Sequence, residues 1–242
     1  MSRRDQYLAA LGIDVWMPRA AASPATVAPA AGPTIRAATA MPAAATAPAA
    51  LSAAEEAAWQ TLEQQVRACT QCALHATRTN AVFGVGNRRA EVMVIGEAPG
   101  AEEDRQGEPF VGRAGQLLNS MIRALGFARA EVYIANVLKS RPPGNRDPLP
   151  EEVRACLPFL QRQIDLIRPR LMLAVGRIAA QNLLATDTPI GRLRGAIHQF
   201  GAQGTPLIVT YHPAYLLRSP GEKRKAWADL KFARAQLARL RG

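Results

Sequence analysis

The chain predicts an α/β fold of three layers, α/β/α, around a central and mostly parallel sheet of four strands. Three observations carry that expectation. Four short apolar runs rich in β-branched residues recur along residues 91–211, segments with helical spacing separate them, and each run ends in glycine or a polar group. Strands alternating with helices build a parallel sheet covered on both faces, because each crossover helix must pack back onto the sheet.

The elements follow in order. Residues 55–68 (EEAAWQTLEQQVRA) have helical spacing and lead into Cys69. EVMVIG at 91–96 is the first strand, AGQLLNSMIRALG at 114–126 a helix, and EVYIANVL at 131–138 the second strand. PEEVRACLPFLQRQIDLI at 150–167 is the next helix; Pro158 lacks an N–H and is expected to kink or interrupt it. LMLAVG at 171–176 is the third strand, GRIAAQNLLA at 176–185 a helix, PLIVTY at 206–211 the fourth strand, and a basic helix over about 221–241 closes the chain.

Ligands of such a sheet bind beyond the carboxyl ends of its strands. The residues there are Gly96-Glu97-Ala98-Pro99-Gly100, Asn136 to Arg141, Gly176-Arg177 and His212-Pro213. A carboxylate, an amide and an imidazole on three strand ends exceed what ordinary turns require.

Composition bounds the rest. Residues 22–50 are almost wholly Ala, Pro, Thr, Ser and Gly, so they lack the apolar groups that offset ordering entropy. They set a disordered linker over 21–52 between a segment at 1–20 and a folded domain at 53–242. No run approaches about 20 apolar residues, which excludes a membrane span. Arg3, Arg4 and Asp5 are followed by no long apolar run, unlike a signal peptide. Three cysteines, an odd number, argue against a secreted disulfide scaffold. The expectation is a cytoplasmic monomer. Of the net charge of +11, residues 1–50 carry +2, so +9 belongs to 51–242. A polyanion such as nucleic acid is the first partner to consider, and the nucleoid the expected place.

The longest motif is GEAPGAEEDRQGEPFVGRAGQLLN at 96–119. Gly96, Gly100, Gly107 and Gly112 interrupt a long loop, and glycine lets backbone approach a flat ligand closely. Phe110 offers an aromatic face inside that polar loop. No Gly-Lys-Ser/Thr follows, so this is not a Walker loop. Two further motifs are ANVLKSRPPGNRDP at 135–148 and HPAYLLRSP at 212–220.

These three motifs, in order and without large gaps over about 60–235, resemble the family 4 uracil-DNA glycosylases, the iron–sulfur type. The resemblance implies hydrolysis of the N-glycosidic bond of uracil in DNA. An extruded base would be cradled by Gly96, Ala98 and Pro99 and stacked on Phe110. Asn136 would read uracil O4 and N3–H with one amide. His212 would stabilise the uracil anion through O2, Glu97 the sugar cation or the attacking water, and Asn145 is a second candidate for positioning water. Leu216 or Leu217 would fill the gap left by the base, while Arg218 meets phosphate.

The resemblance also implies a 4Fe–4S cluster held by four cysteines. Cys69, Cys72 and Cys156 match three of them, and Ser140 stands where the fourth should be. Serine oxygen is hard where the cluster wants soft sulfur. Ser140 or a water would be a poor fourth ligand, or the cluster would hold three irons, or none would bind; His75 is a weaker candidate for the corner.

The first residues, SRRDQYLAALGIDVWMPR at 2–19, put Leu8, Leu11, Ile13 and Trp16 on a short tethered segment, the layout of a docking peptide. This tail resembles the amino terminus of the psi subunit of bacterial DNA polymerase III. That resemblance implies docking on the clamp loader through its gamma/tau subunit, with the chi subunit as a further partner. Two readings follow: a glycosylase tethered to the replisome, or a psi-like subunit with a glycosylase fold and little activity.

Overall fold

The structure, a computed structural model, describes residues 51–242. The docking residues Leu8, Leu11, Ile13 and Trp16 and all but the last two residues of the linker lie outside the described residues.

The four expected strands form the middle of a six-stranded sheet. The strands are β1 (Val85–Gly86), β2 (Val92–Gly96), β3 (Tyr133–Asn136), β4 (Leu171–Val175), β5 (Ile197–Phe200) and β6 (Thr205–Thr210), in the order β1-β3-β2-β4-β6-β5. β3, β2, β4 and β6 are parallel, while β1 and β5 add antiparallel edges. The edges escaped the sequence reading for a physical reason. β1 is two residues long, and β5 keeps Ile197 and Gln199 exposed, so neither has the apolar run of a buried strand.

The α-helices among the described residues are α1 (Ala53–Arg67), α2 (Ala101–Gln106), α3 (Arg113–Leu125), α4 (Pro150–Ile167), α5 (Arg177–Leu184), α6 (Ile190–Leu193), α7 (Pro213–Arg218) and α8 (Lys223–Arg241). α1 starts at a capping box, in which Ser52 Oγ accepts from the Glu55 N–H and the Glu55 carboxylate accepts from the Ser52 N–H. α4 runs unbroken through Pro158, against the expected interruption. Pro158 and Arg154, one turn earlier, are both exposed, so the carbonyl that the missing N–H leaves free faces water.

Strand residues alternate between two cores, one on each face. Met93, Ile95, Ala135, Met172, Ala174 and Val209 meet Trp59 and Leu62 of α1, Leu160 of α4 and Leu183 of α5. Val92, Val94, Ile134, Leu173, Val175 and Ile208 meet Leu118 and Ile122 of α3 and Leu230 and Leu237 of α8. This is the expected three-layer α/β/α class. The parallel strands reverse direction of growth between β2 and β4, the position where such sheets open a crevice at the carboxyl edge.

Candidate active site

A cavity of about 420 Å³ opens at that edge. Glu97, Ala98, Pro99, Phe110, Asn136 and His212 line it, and Asn145 and Arg218 stand with them. They come from the ends of β2, β3 and β6 and the loops beyond, so the parallel register gathers them. Gly96 pairs with Asn136 across β2 and β3. A Cβ on Gly96 would lie 2.4 Å from Asn136 Oδ1 and 2.6 Å from Phe110 Cζ, so glycine alone lets amide and ring close over it.

Phe110 is buried with φ 56°, a left-handed conformation uncommon for an aromatic residue. Two neighbours hold it there. Gly115 admits the Phe110 carbonyl, where a Cβ would approach to 1.8 Å. Glu103 Oε1 accepts from the N–H groups of Val111 at 3.1 Å and Gly112 at 3.4 Å, fixing the turn after the ring. The ring lies 5.6 Å from the His212 ring, inclined by 31°.

Asn136 is 2% exposed, and its Oδ1 is buried with no hydrogen-bond partner. A dry acceptor left open costs about 1–3 kcal/mol, so it marks a place for a donor from outside. The Asn136 main-chain carbonyl is occupied: it accepts from Lys139 Nζ at 2.9 Å.

His212 caps α7, and its Nδ1 accepts from the Ala214 N–H at 3.1 Å. In the neutral ring the proton therefore sits on Nε2, which is free to donate. Burial, helped by the charge of Arg218, pulls the imidazole down to about 4, so it is neutral near pH 7. The approach to His212 is fixed from two sides. Gly176 packs against it, where a Cβ would lie 3.0 Å from His212 Cβ. Asp229 pairs with Arg194 at 2.7 Å and accepts from Thr210 Oγ1 at 2.7 Å, tying the end of β6 to α8.

Burial raises the Glu97 carboxyl to about 7; the charge of Asp147 adds to the shift and Arg177 opposes it. Asp147 and Arg177 are themselves paired at 2.7 Å. A half-ionised carboxylate, a neutral donor imidazole and an open amide thus face one cavity.

The sequence profile described as the uracil DNA glycosylase superfamily matches residues 83–231. The chain belongs to the uracil-DNA glycosylase superfamily. A type-4 uracil-DNA glycosylase of Archaeoglobus fulgidus is 46% identical over 174 residues, covering 69% of this chain and 87% of the relative. That of Thermotoga maritima is 46% identical over 160 residues, 65% of this chain and 82% of its own. A type-5 uracil-DNA glycosylase of Thermus thermophilus is 33% identical over 153 residues, 54% and 68% of the two chains.

Within this superfamily scaffold two expected residues stand differently from their sequence reading. Leu216 is 1% exposed and packs in the core with α3 and α8, so it anchors α7 and cannot enter a duplex as placed; Leu217 is part-exposed. Asn145 reaches the rim, but its Oδ1 already accepts from Arg141 Nε at 2.8 Å. Sequence reasoning missed Glu103, Asp147 and Lys139. All three lie inside the quoted motifs, where their charge was visible but their partners were not.

Cys69, Cys72, Cys156 and Ser140 line one small pocket together with His75 and Arg78. The Lys139 N–H donates to Cys156 Sγ at 3.1 Å, and burial raises the Cys156 thiol, with the neighbouring Cys72 and Cys69 adding to it. Three thiols lining one pocket are the soft donors an iron–sulfur cluster takes at three of its corners. At the fourth, Ser140 Oγ accepts from Arg78 Nη1 at 2.9 Å, and Arg78 Nη2 donates to the carbonyls of Arg67 and Cys69. Among the described residues no group of three or more His, Cys, Asp or Glu side chains stands together closely enough to hold a metal ion.

Proposed function

We propose that the chain is a uracil-DNA glycosylase of the type-4 kind, which hydrolyses the bond between uracil and deoxyribose. The observation that carries this reading is the buried, unpartnered Oδ1 of Asn136 beside Phe110. An extruded uracil stacked on Phe110 offers its N3–H to Asn136 Oδ1 and its O4 to Asn136 Nδ2. Cytosine presents the opposite pattern there and leaves buried groups unpaired.

The chemistry follows from the remaining groups. The C1′–N1 bond breaks with its electron pair on the base, leaving a uracil anion and a sugar cation. The neutral His212 donates Nε2–H to O2 and stabilises the anion without giving up its proton. The Glu97 carboxylate faces the cation and orients a water, whose oxygen joins C1′ and whose proton passes to the carboxylate. Ala98 and Pro99 shape the wall, and Arg218 at the rim meets the DNA phosphate. An iron–sulfur cluster would be held by Cys69, Cys72 and Cys156, beside Ser140, and when bound would supply a cross-link between these chain segments.

The relatives' names and the retained cavity support an enzyme over an inactive psi-like subunit. The tail keeps its reading as a clamp-loader docking peptide through Leu8, Leu11, Ile13 and Trp16, as a proposal of its own. The test of function is release of free uracil from single- and double-stranded oligonucleotides by the purified chain. Asn136→Ala and His212→Ala each lower the single-turnover rate by roughly a hundredfold or more. No release by the unaltered protein sinks the reading.

A further inference from the structure

The six-residue helix that walls the cavity also walls a second, apolar groove. α7 sends Arg218 to the cavity mouth and Leu216 to a groove of about 250 Å³ between α3 and α8. Leu117 and Met121 form one side, Trp227 and Leu230 the other, and Lys223 sits at its edge. Trp227 is 51% exposed. Lys223, Arg224, Lys231 and Arg234 surround it at helical spacing on α8, and all are exposed. Acidic groups do not offset them: Asp229 pairs with Arg194, Glu222 with Lys225, and α3 contains no acidic residue.

An exposed indole, an apolar floor and a cationic border suit one class of partner. A protein's apolar patch would meet the floor and leave the cations unanswered. A nucleic-acid strand brings phosphates for the cations and flat bases for the ring. We infer that this groove seats the DNA strand flanking the extruded nucleotide, with Trp227 stacked on an unpaired base and Lys223 and Lys231 on phosphates. The inference rests on the reading of the cavity as a DNA-base site. Trp227 is outside the cavity, so it contributes to strand affinity and not to bond cleavage.

The experiment compares a single-stranded uracil oligonucleotide of about 20 nucleotides with one of about 2, which leaves too little flanking strand to reach from the cavity along the groove. Trp227→Ala raises the concentration for half-maximal single-turnover rate on the long strand about tenfold and leaves the maximal rate and the short-strand values unchanged. Trp227→Phe restores most of the affinity. Combined Lys223→Ala and Lys231→Ala reduce the slope of log affinity against log salt by about 1.4. Anisotropy with a uracil-free long strand must show the same tenfold loss in Trp227→Ala. That arm separates the two readings, since it does not need base release. Unchanged long-strand affinity overturns the inference, as does equal loss on both lengths. A Trp227→Ala variant that alters only self-association in sedimentation, with DNA affinity intact, overturns it too.

Discussion

At Asn136 two requirements meet in one side chain. The amide must be dry enough to discriminate, and its oxygen must stay unbonded until a ligand arrives. Gly96 provides the closeness, and Lys139 takes up the main-chain carbonyl, so the side chain is the group left open. The carboxylate beside it sets the pH response. Glu97 is held at about 7 by burial first and by Asp147 second. Its ionised fraction rises with pH, so the single-turnover rate climbs about tenfold per pH unit below that value and levels above it. His212, at about 4, is already neutral in that range and adds no falling limb. Asp147→Asn removes a like charge and frees Arg177, so the rise moves to lower pH. A flat pH–rate profile from about pH 5 to 9 contradicts this role for Glu97.

α7 is the element where sequence and structure part most clearly. HPAYLLRSP reads as a loop that offers Leu216 or Leu217 to DNA, yet it folds as a capped helix and turns Leu216 inward. Leu216→Ala therefore costs about 2–5 kcal/mol of stability. Leu217→Ala leaves the melting temperature nearly unchanged and lowers the rate on duplex DNA more than on single strands. The reverse pattern, read by calorimetry and base release, exchanges the two roles. The segment holding the cysteines shows a different limit. The C-x-x-C spacing paired Cys69 with Cys72 and the family resemblance joined Cys156 to them, but the Arg78 guanidinium on Ser140 had no signature, since its partners lie at residues 67, 69 and 140. Ser140→Cys is expected to raise the iron and acid-labile sulfide retained after chelator treatment. Equal retention in both proteins contradicts a weakened fourth corner.

Across the whole molecule, the buried strands were legible because each is built on a short apolar run, and their parallel direction followed from the helices between them. The site was legible to the extent that it lies on strand ends: Glu97, Asn136 and His212 are where a parallel sheet must put them. The edge strands, the turn held by Glu103 and the Asp147–Arg177 pair depend on contacts between distant segments, which no local pattern encodes. The resulting account makes one claim above the others: the fold keeps a dry acceptor waiting for uracil N3–H. Its most direct test is the single-turnover rate of base release from two oligonucleotides that differ only in uracil or 3-methyluracil at one position. The account predicts release of uracil and a loss of roughly a hundredfold or more for the methylated base. Equal rates on the two, or release of neither, would contradict it.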